Sequence, residues 1–135
     1  MKYKCDYELI KGHDTDSGYD LRTKYDFKLD PFQVKNISTS LFLELDKDTE
    51  VQVRPKSSIS AKGVLVHFGT VDSDYRGEVL VTIQNLNKHG VEFEKGQKIA
   101  QIVFSQKTEV DLEKVEKISD STARGTGGFG STGAF

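Results

Sequence analysis

At 135 residues, with 21 Asp and Glu against 19 Lys and Arg for a formal net charge of −2, the chain holds one domain's core. That charge balance gives no basic excess for coating nucleic acid or an anionic membrane, so neither partner is expected. A single cysteine, Cys5, excludes an internal disulfide and fits a reducing compartment; it reads as a small buried or half-buried apolar residue.

The N-terminus is charged from Lys2, and no apolar run nears the ~20 residues that span a bilayer. A soluble, cytoplasmic protein is expected. Lys2–Leu9 alternates weakly as a first strand, and residues 12–18 form a polar loop before Tyr19-Asp20-Leu21-Arg22. Phe27 and Leu29 predict a short strand stopped by Asp30-Pro31. Two runs follow, Val34–Thr39 and Leu41–Leu45. Glu50–Arg54 turns Val51 and Val53 inward and ends at Pro55. Residues 57–62 predict a helical turn capped by a serine and closed by Gly63. Val64–Phe68 and Val79–Asn85 predict strands flanking a bend, and Lys88–Phe93, Lys98–Ser105 and Glu109–Lys117 predict three more. Many short strands at this spacing indicate an all-β sandwich or barrel.

The bend itself, Gly69-Thr70-Val71-Asp72-Ser73-Asp74-Tyr75-Arg76-Gly77-Glu78, holds an aspartate, a tyrosine and an arginine between glycines. It reads either as a hairpin tip with solvated charges or as a site where Asp72 handles a hydroxyl or water beside a Tyr75 wall. Arg76 and Glu78 read as structural, by default an ion pair. From Ser119 onward the composition turns to Gly, Ser and Thr, too polar to bury a core. Residues 1–118 are thus expected to form the β-barrel core and 119–135 a flexible arm. Within that arm, Arg124-Gly125-Thr126-Gly127-Gly128-Phe129-Gly130-Ser131-Thr132-Gly133 combines a guanidinium, hydroxyls and exposed backbone N–H groups, a set suited to phosphate oxygens. It lacks the Lys-Ser/Thr ending and following helix of a P-loop.

Five stretches in order resemble the motifs of the trimeric dUTP pyrophosphatase (dUTPase) family: Gly18–Leu21, Pro55–Ser58, Gly69–Gly77, Gly96–Gln101 and Arg124–Gly133. The resemblance implies a jelly-roll-like subunit, a homotrimer with shared active sites, and Mg²⁺-dependent hydrolysis of dUTP to dUMP and pyrophosphate. Such a reaction limits uracil in DNA and supplies dUMP for dTMP synthesis. It further implies that Asp72 binds the sugar 3′-hydroxyl and activates the attacking water, and that Tyr75 leaves no room for a 2′-hydroxyl. By the same resemblance, backbone groups of the hairpin around Val64–Val71 would pair with uracil. Lys56, Ser57, Ser58 and Gln101 would contact the triphosphate, and Asp20 would face the hydrated Mg²⁺ through water. Arg124, Gly130, Ser131 and Thr132 would bind phosphates while Phe129 would cover the uracil.

Read singly, Asp20 is also a plausible turn residue, Ser57 a helix cap and Gln101 a surface residue. Two positions depart from the family pattern. Lys56 stands where arginine is usual, keeping the charge but losing the bidentate fork. Ser17 stands where alanine is common. A dCTP deaminase would carry a proton-transferring glutamate where this chain has Thr82. A regulatory binding protein is the reading from a different class.

Overall fold

Ten strands and one short helix build the chain, and the computed structural model describes all of residues 1–135. In order they are β1 (Lys2–Lys4), β2 (Tyr19–Arg22), β3 (Phe27–Leu29), β4 (Val34–Glu44), β5 (Thr49–Arg54), α1 (Ser57–Ser60), β6 (Val64–Val66), β7 (Gly69–Val71), β8 (Glu78–Asn85), β9 (Val91–Phe93) and β10 (Lys98–Gln106). They form two four-stranded sheets, β1-β4-β8-β6 and β2-β10-β5-β7, and a β3-β9 ribbon, with antiparallel pairing throughout. This is a jelly-roll β fold.

Period-two patterning decides which face each strand buries. In β8, Val79, Val81 and Ile83 are buried while Leu80, Thr82 and Gln84 face outward. In β5, Val51 and Val53 are buried in the same way. Together with Leu21, Leu41, Val66, Ile99 and Ile102 they form one apolar core shared by the two sheets.

Several sequence expectations are revised. The first strand stops at Lys4; Tyr7 instead uses its hydroxyl to accept the Arg22 N–H at 2.9 Å. The two runs at 34–45 are a single strand, β4. Its register against β8 shifts between Ser38 and Phe42, where Ser40 takes a positive φ of 61°. The helix is preceded by Lys56 at its N-cap, not by a capping serine. The bend at residues 69–78 is not a plain hairpin: β6 pairs with β8, but β7 crosses to the other sheet and pairs with β5. Residues 109–117 form no strand. Val110 and Leu112 alternate but Val115 falls out of phase, no sheet of the chain pairs with the segment, and Leu112 is 91% exposed. The regular structure ends at Gln106.

Candidate active site

Three groups of predicted site residues are recognisable, and the single chain keeps them apart. The first sits at the end of β2, β10 and β5. The register places Asp20, Gln101 and Arg54 side by side across the three strands, so their side chains share one face. Strict alternation would put Lys98 on the other face from Gln101. A register shift between Lys98 and Ala100 corrects this, setting Lys98 opposite Arg22 and so on the Asp20 face.

Asp20 is 5% exposed, and both of its oxygens meet cations. Lys56 donates to Oδ1, and Lys98 Nζ lies 2.7 Å from Oδ2. Burial by itself would raise the Asp20 pKa, but the two lysines outweigh it and hold the carboxyl below the usual carboxylate range. Asp20 is therefore an ionised, charge-compensated anchor and not merely a turn residue. Gln101 donates from Nε2 to the Pro55 carbonyl at 2.9 Å. It lies so close to Gly18 that a Cβ there would come within 3.0 Å of Gln101 Cδ and 3.2 Å of its Cβ. Only glycine lets this side chain cross to the loop that carries Lys56. Ser57 and Ser58 follow, exposed, on the first turn of α1.

The second group is the bend. Tyr75 N–H donates to the Asp72 carbonyl at 3.1 Å, closing the turn. Arg76 Nη1 donates to the Ser73 and Tyr75 carbonyls at 2.7 and 3.1 Å, so it braces the turn and makes no ion pair. Glu78 makes no ion pair either; Oε1 accepts from the Ser40 N–H at 2.8 Å and from the Ser38 hydroxyl. Asp72 is exposed and Val71 buried. Val71, Asp72 and Tyr75, walled by Val53, Gly69 and Leu80, line an open cavity of about 220 Å³. Size is a poor guide here, because a cavity of about 460 Å³ beside Tyr7, Arg22 and Lys95 contains none of the predicted residues.

The third group is the tail. Arg124 Nε donates to the Gly127 carbonyl at 2.7 Å, Ser131 N–H donates to the Gly128 carbonyl at 3.2 Å, and Phe129 is fully exposed. The hydrogen bonds of residues 119–135 stay within the tail, and Gly130, Thr132 and the Ser131 side chain are exposed with it.

The first two groups lie at opposite ends of β5. Asp72 follows Val71, the register partner of Val51, whereas Lys56 lies five positions beyond Val51 along the chain. At the rise of an extended chain, five residues span roughly 17 Å. One phosphorus atom cannot be served from both ends of that strand.

No cluster of three or more His, Cys, Asp or Glu side chains is present to ligate a metal directly. Asp20 is the one ionised carboxylate of this group, and it would face a hydrated divalent ion on a substrate's phosphates only through water and with Lys56 withdrawn from Oδ1. The sequence missed Lys98, whose face is set by the register shift, and the Glu78 contact with the irregular part of β4.

The chain is thus an antiparallel jelly roll that carries a carboxylate–tyrosine bend, a lysine-compensated aspartate and an Arg/Gly tail. The dUTPase family model matches residues 9–133, and the chain belongs to the dUTPase family. It is 42% identical over 124 residues to a deoxyuridine 5′-triphosphate nucleotidohydrolase of Gloeothece citriformis, covering 90% of this chain and 85% of that protein. The like-named protein of Clostridium tetani is 41% identical over the same shares. Among solved structures, a variant dUTPase of Staphylococcus bacteriophage 80alpha with dUpNHpp superposes with a TM-score of 0.90. It covers 98% of this chain and 97% of its own at 22% identity, a likeness of fold. A dUTPase from phage phi11 of S. aureus, described with a structural Mg(II) ion, gives 0.79 at 20% identity, with 87% and 97% covered. No helix is long and apolar enough to cross a membrane.

Proposed function

We propose that the chain is a dUTP diphosphatase, a hydrolase that converts dUTP and water to dUMP and pyrophosphate. The observation that carries the reading is the bend at β7–β8, where Asp72 and Tyr75 share one cavity with the backbone of β7. Relatives at 41–42% identity that bear the nucleotidohydrolase name support it.

Uracil pairs with backbone groups around Val71, and deoxyribose lies against the Tyr75 ring. Asp72 accepts from the 3′-hydroxyl and takes a proton from the water that attacks the α-phosphorus; an ionised carboxylate accepts in both tasks. Phosphate oxygens meet Lys56, Ser57, Ser58 and Gln101 from one side, and Arg124, Gly130, Ser131 and Thr132 from the other. Phe129 covers the base when the tail closes, as lids do. Lys56 serves phosphate as a point charge, and Lys98 remains to compensate Asp20 when Lys56 turns to substrate. Asp20 would hold a hydrated Mg²⁺ through water, and the ion would supply positive charge to the triphosphate oxygens.

The roughly 17 Å between the two ends of β5 supports a site completed by other copies of the chain. In the proposed homotrimer one subunit supplies Asp72 and Tyr75, another Lys56 and Gln101, and a tail closes over both. Core and arm divide at residues 118–119.

Thr82 donates its hydroxyl to Asn36 Oδ1 at 2.8 Å and carries no acid for a deaminase. Pyrophosphate release from dUTP should exceed that from UTP, dTTP and dCTP by orders of magnitude, and EDTA should suppress it. Comparable rates with dUTP and dTTP, or ammonia release from dCTP, would overturn the assignment.

A further inference from the structure

Tyr75 does not simply project from its turn. Its hydroxyl donates to the Glu78 carbonyl at 3.0 Å, folding the ring back over Gly77. A Cβ on Gly77 would lie 2.5 Å from Tyr75 Cζ and 2.9 Å from Cε2, closer than atoms can stand, and the hydroxyl would be nearer still. A tyrosine ring moves only as a rigid plate, so any side chain at 77 must turn it out of this seat.

The acceptor of that hydrogen bond is itself fixed. Glu78 Oε1 takes the Ser40 N–H at 2.8 Å and the Ser38 hydroxyl, tying the start of β8 to the irregular part of β4. That irregularity is held from its other side as well. Ser40, at φ 61°, accepts the Asp6 N–H at 3.1 Å on its Oγ, which also lies 3.4 Å from Cys5 Sγ. Thr39 donates to the Val79 carbonyl at 2.5 Å. The carboxylate of Glu78 thus serves no ion pair in the chain; it is a strut between the β4 irregularity and the backbone on which Tyr75 rests.

We propose that Gly77 and Glu78 are positioning residues for sugar selectivity: Gly77 leaves the space into which the Tyr75 ring folds, and Glu78 holds the carbonyl that anchors its hydroxyl. The inference rests on the reading of Tyr75 as the deoxyribose wall. Rejecting a hydroxyl by shape requires a wall that cannot yield, and a ring seated beside Gly77 and anchored at its hydroxyl meets that need.

The experiment compares kcat/KM for dUTP and UTP in Gly77→Ala, Glu78→Ala, Glu78→Gln and Tyr75→Ala, and in the Tyr75→Ala/Gly77→Ala double variant. Gly77→Ala and Glu78→Ala should each reduce the dUTP-over-UTP ratio by roughly tenfold or more. Glu78→Gln should keep most of the ratio, because its amide oxygen still accepts the Ser40 N–H. In the Tyr75→Ala background, Gly77→Ala should change the ratio no further. An undiminished ratio in Gly77→Ala, or an equal loss with and without Tyr75, overturns the inference while leaving the dUTP assignment standing. Equal rates for dUTP and UTP in the unmodified protein overturn the wall reading and this inference together. Should Gly77→Ala fail to fold, Tyr75→Phe decides: it removes only the bond to the Glu78 carbonyl, and an unchanged ratio there overturns the anchor.

Discussion

The two ends of the β2-β10-β5-β7 sheet treat their carboxylates in opposite ways. At one end Asp20 is buried, with a lysine on each oxygen, so its charge is settled within the fold. At the other, Asp72 is exposed on a turn held by backbone hydrogen bonds and the Arg76 brace. The first carboxylate is tied into the fold by its two lysines, whereas the second bonds nothing in its turn. Loss of Asp20 should therefore be read in unfolding as well as in turnover, and loss of Asp72 in turnover alone.

Asp72→Asn tests the free end and should have the largest effect. Loss of a positioned base typically reduces the rate by ~10²–10⁴-fold. Because the Asp72 side chain holds nothing in the turn, urea midpoints should match those of the unmodified protein and nucleotide affinity should stay close to it. The proposed sharing of sites sharpens the test. A chain ending before Arg124 should also be folded and nearly inactive, for want of its tail. Co-refolding it with the Asp72→Asn chain should restore activity well above the sum of the two, since some mixed trimers bring an intact Asp72 to an intact tail. Demonstrably mixed but inactive trimers would mean that each tail serves its own Asp72.

Asp20→Asn tests the compensated end, and here stability should fall. Removing one member of a buried ion pair strands the other, and with Lys56 and Lys98 partly exposed the loss should be about 2–3 kcal/mol. The sign with pH follows from the depressed pKa. The folded value lies below the unfolded one, so Asp20's contribution is complete above about pH 4 and is lost as pH falls through the folded value. The stability gap between Asp20→Asn and the unmodified protein should therefore be constant near neutrality and close below about pH 4. A gap that widens on acidification would show that the lysines do not govern this carboxyl.

Much of this contrast was legible in the sequence, for a physical reason. Period-two burial and turn residues are local, so β3, β5 and β8 could be placed from Phe27, Val51, Val53 and the alternation after Gly77. The motif residues Asp20, Lys56 and Gln101 do converge. What stayed hidden depends on register and on partners distant in sequence. The shift that re-aims Lys98, the Ser40 irregularity that receives Glu78, and the crossing of β7 to the other sheet leave no periodic trace. The partial alternation at 109–117 misled in the opposite sense: a strand pattern makes a strand only where an edge accepts it.

The smallest expected effect belongs to Lys56, which stands between the two behaviours. It is a partner of the buried Asp20 and, in the proposed mechanism, a phosphate ligand. Lys56→Ala leaves Lys98 on Asp20, so the fold should keep most of its stability while triphosphate binding weakens. A charge-assisted bond of this kind is worth about 1.5–3 kcal/mol, a rise in KM on the order of tenfold to a hundredfold. Lys56→Arg keeps the charge and offers the fork that lysine lacks, so kcat/KM should move by less than about tenfold in either direction. The two substitutions divide the roles cleanly. If alanine lowers the urea midpoint as far as Asp20→Asn does and leaves KM and kcat untouched, Lys56 is only a strut for Asp20. The phosphate contact at this end of the sheet would then belong to Ser57, Ser58 and Gln101 alone.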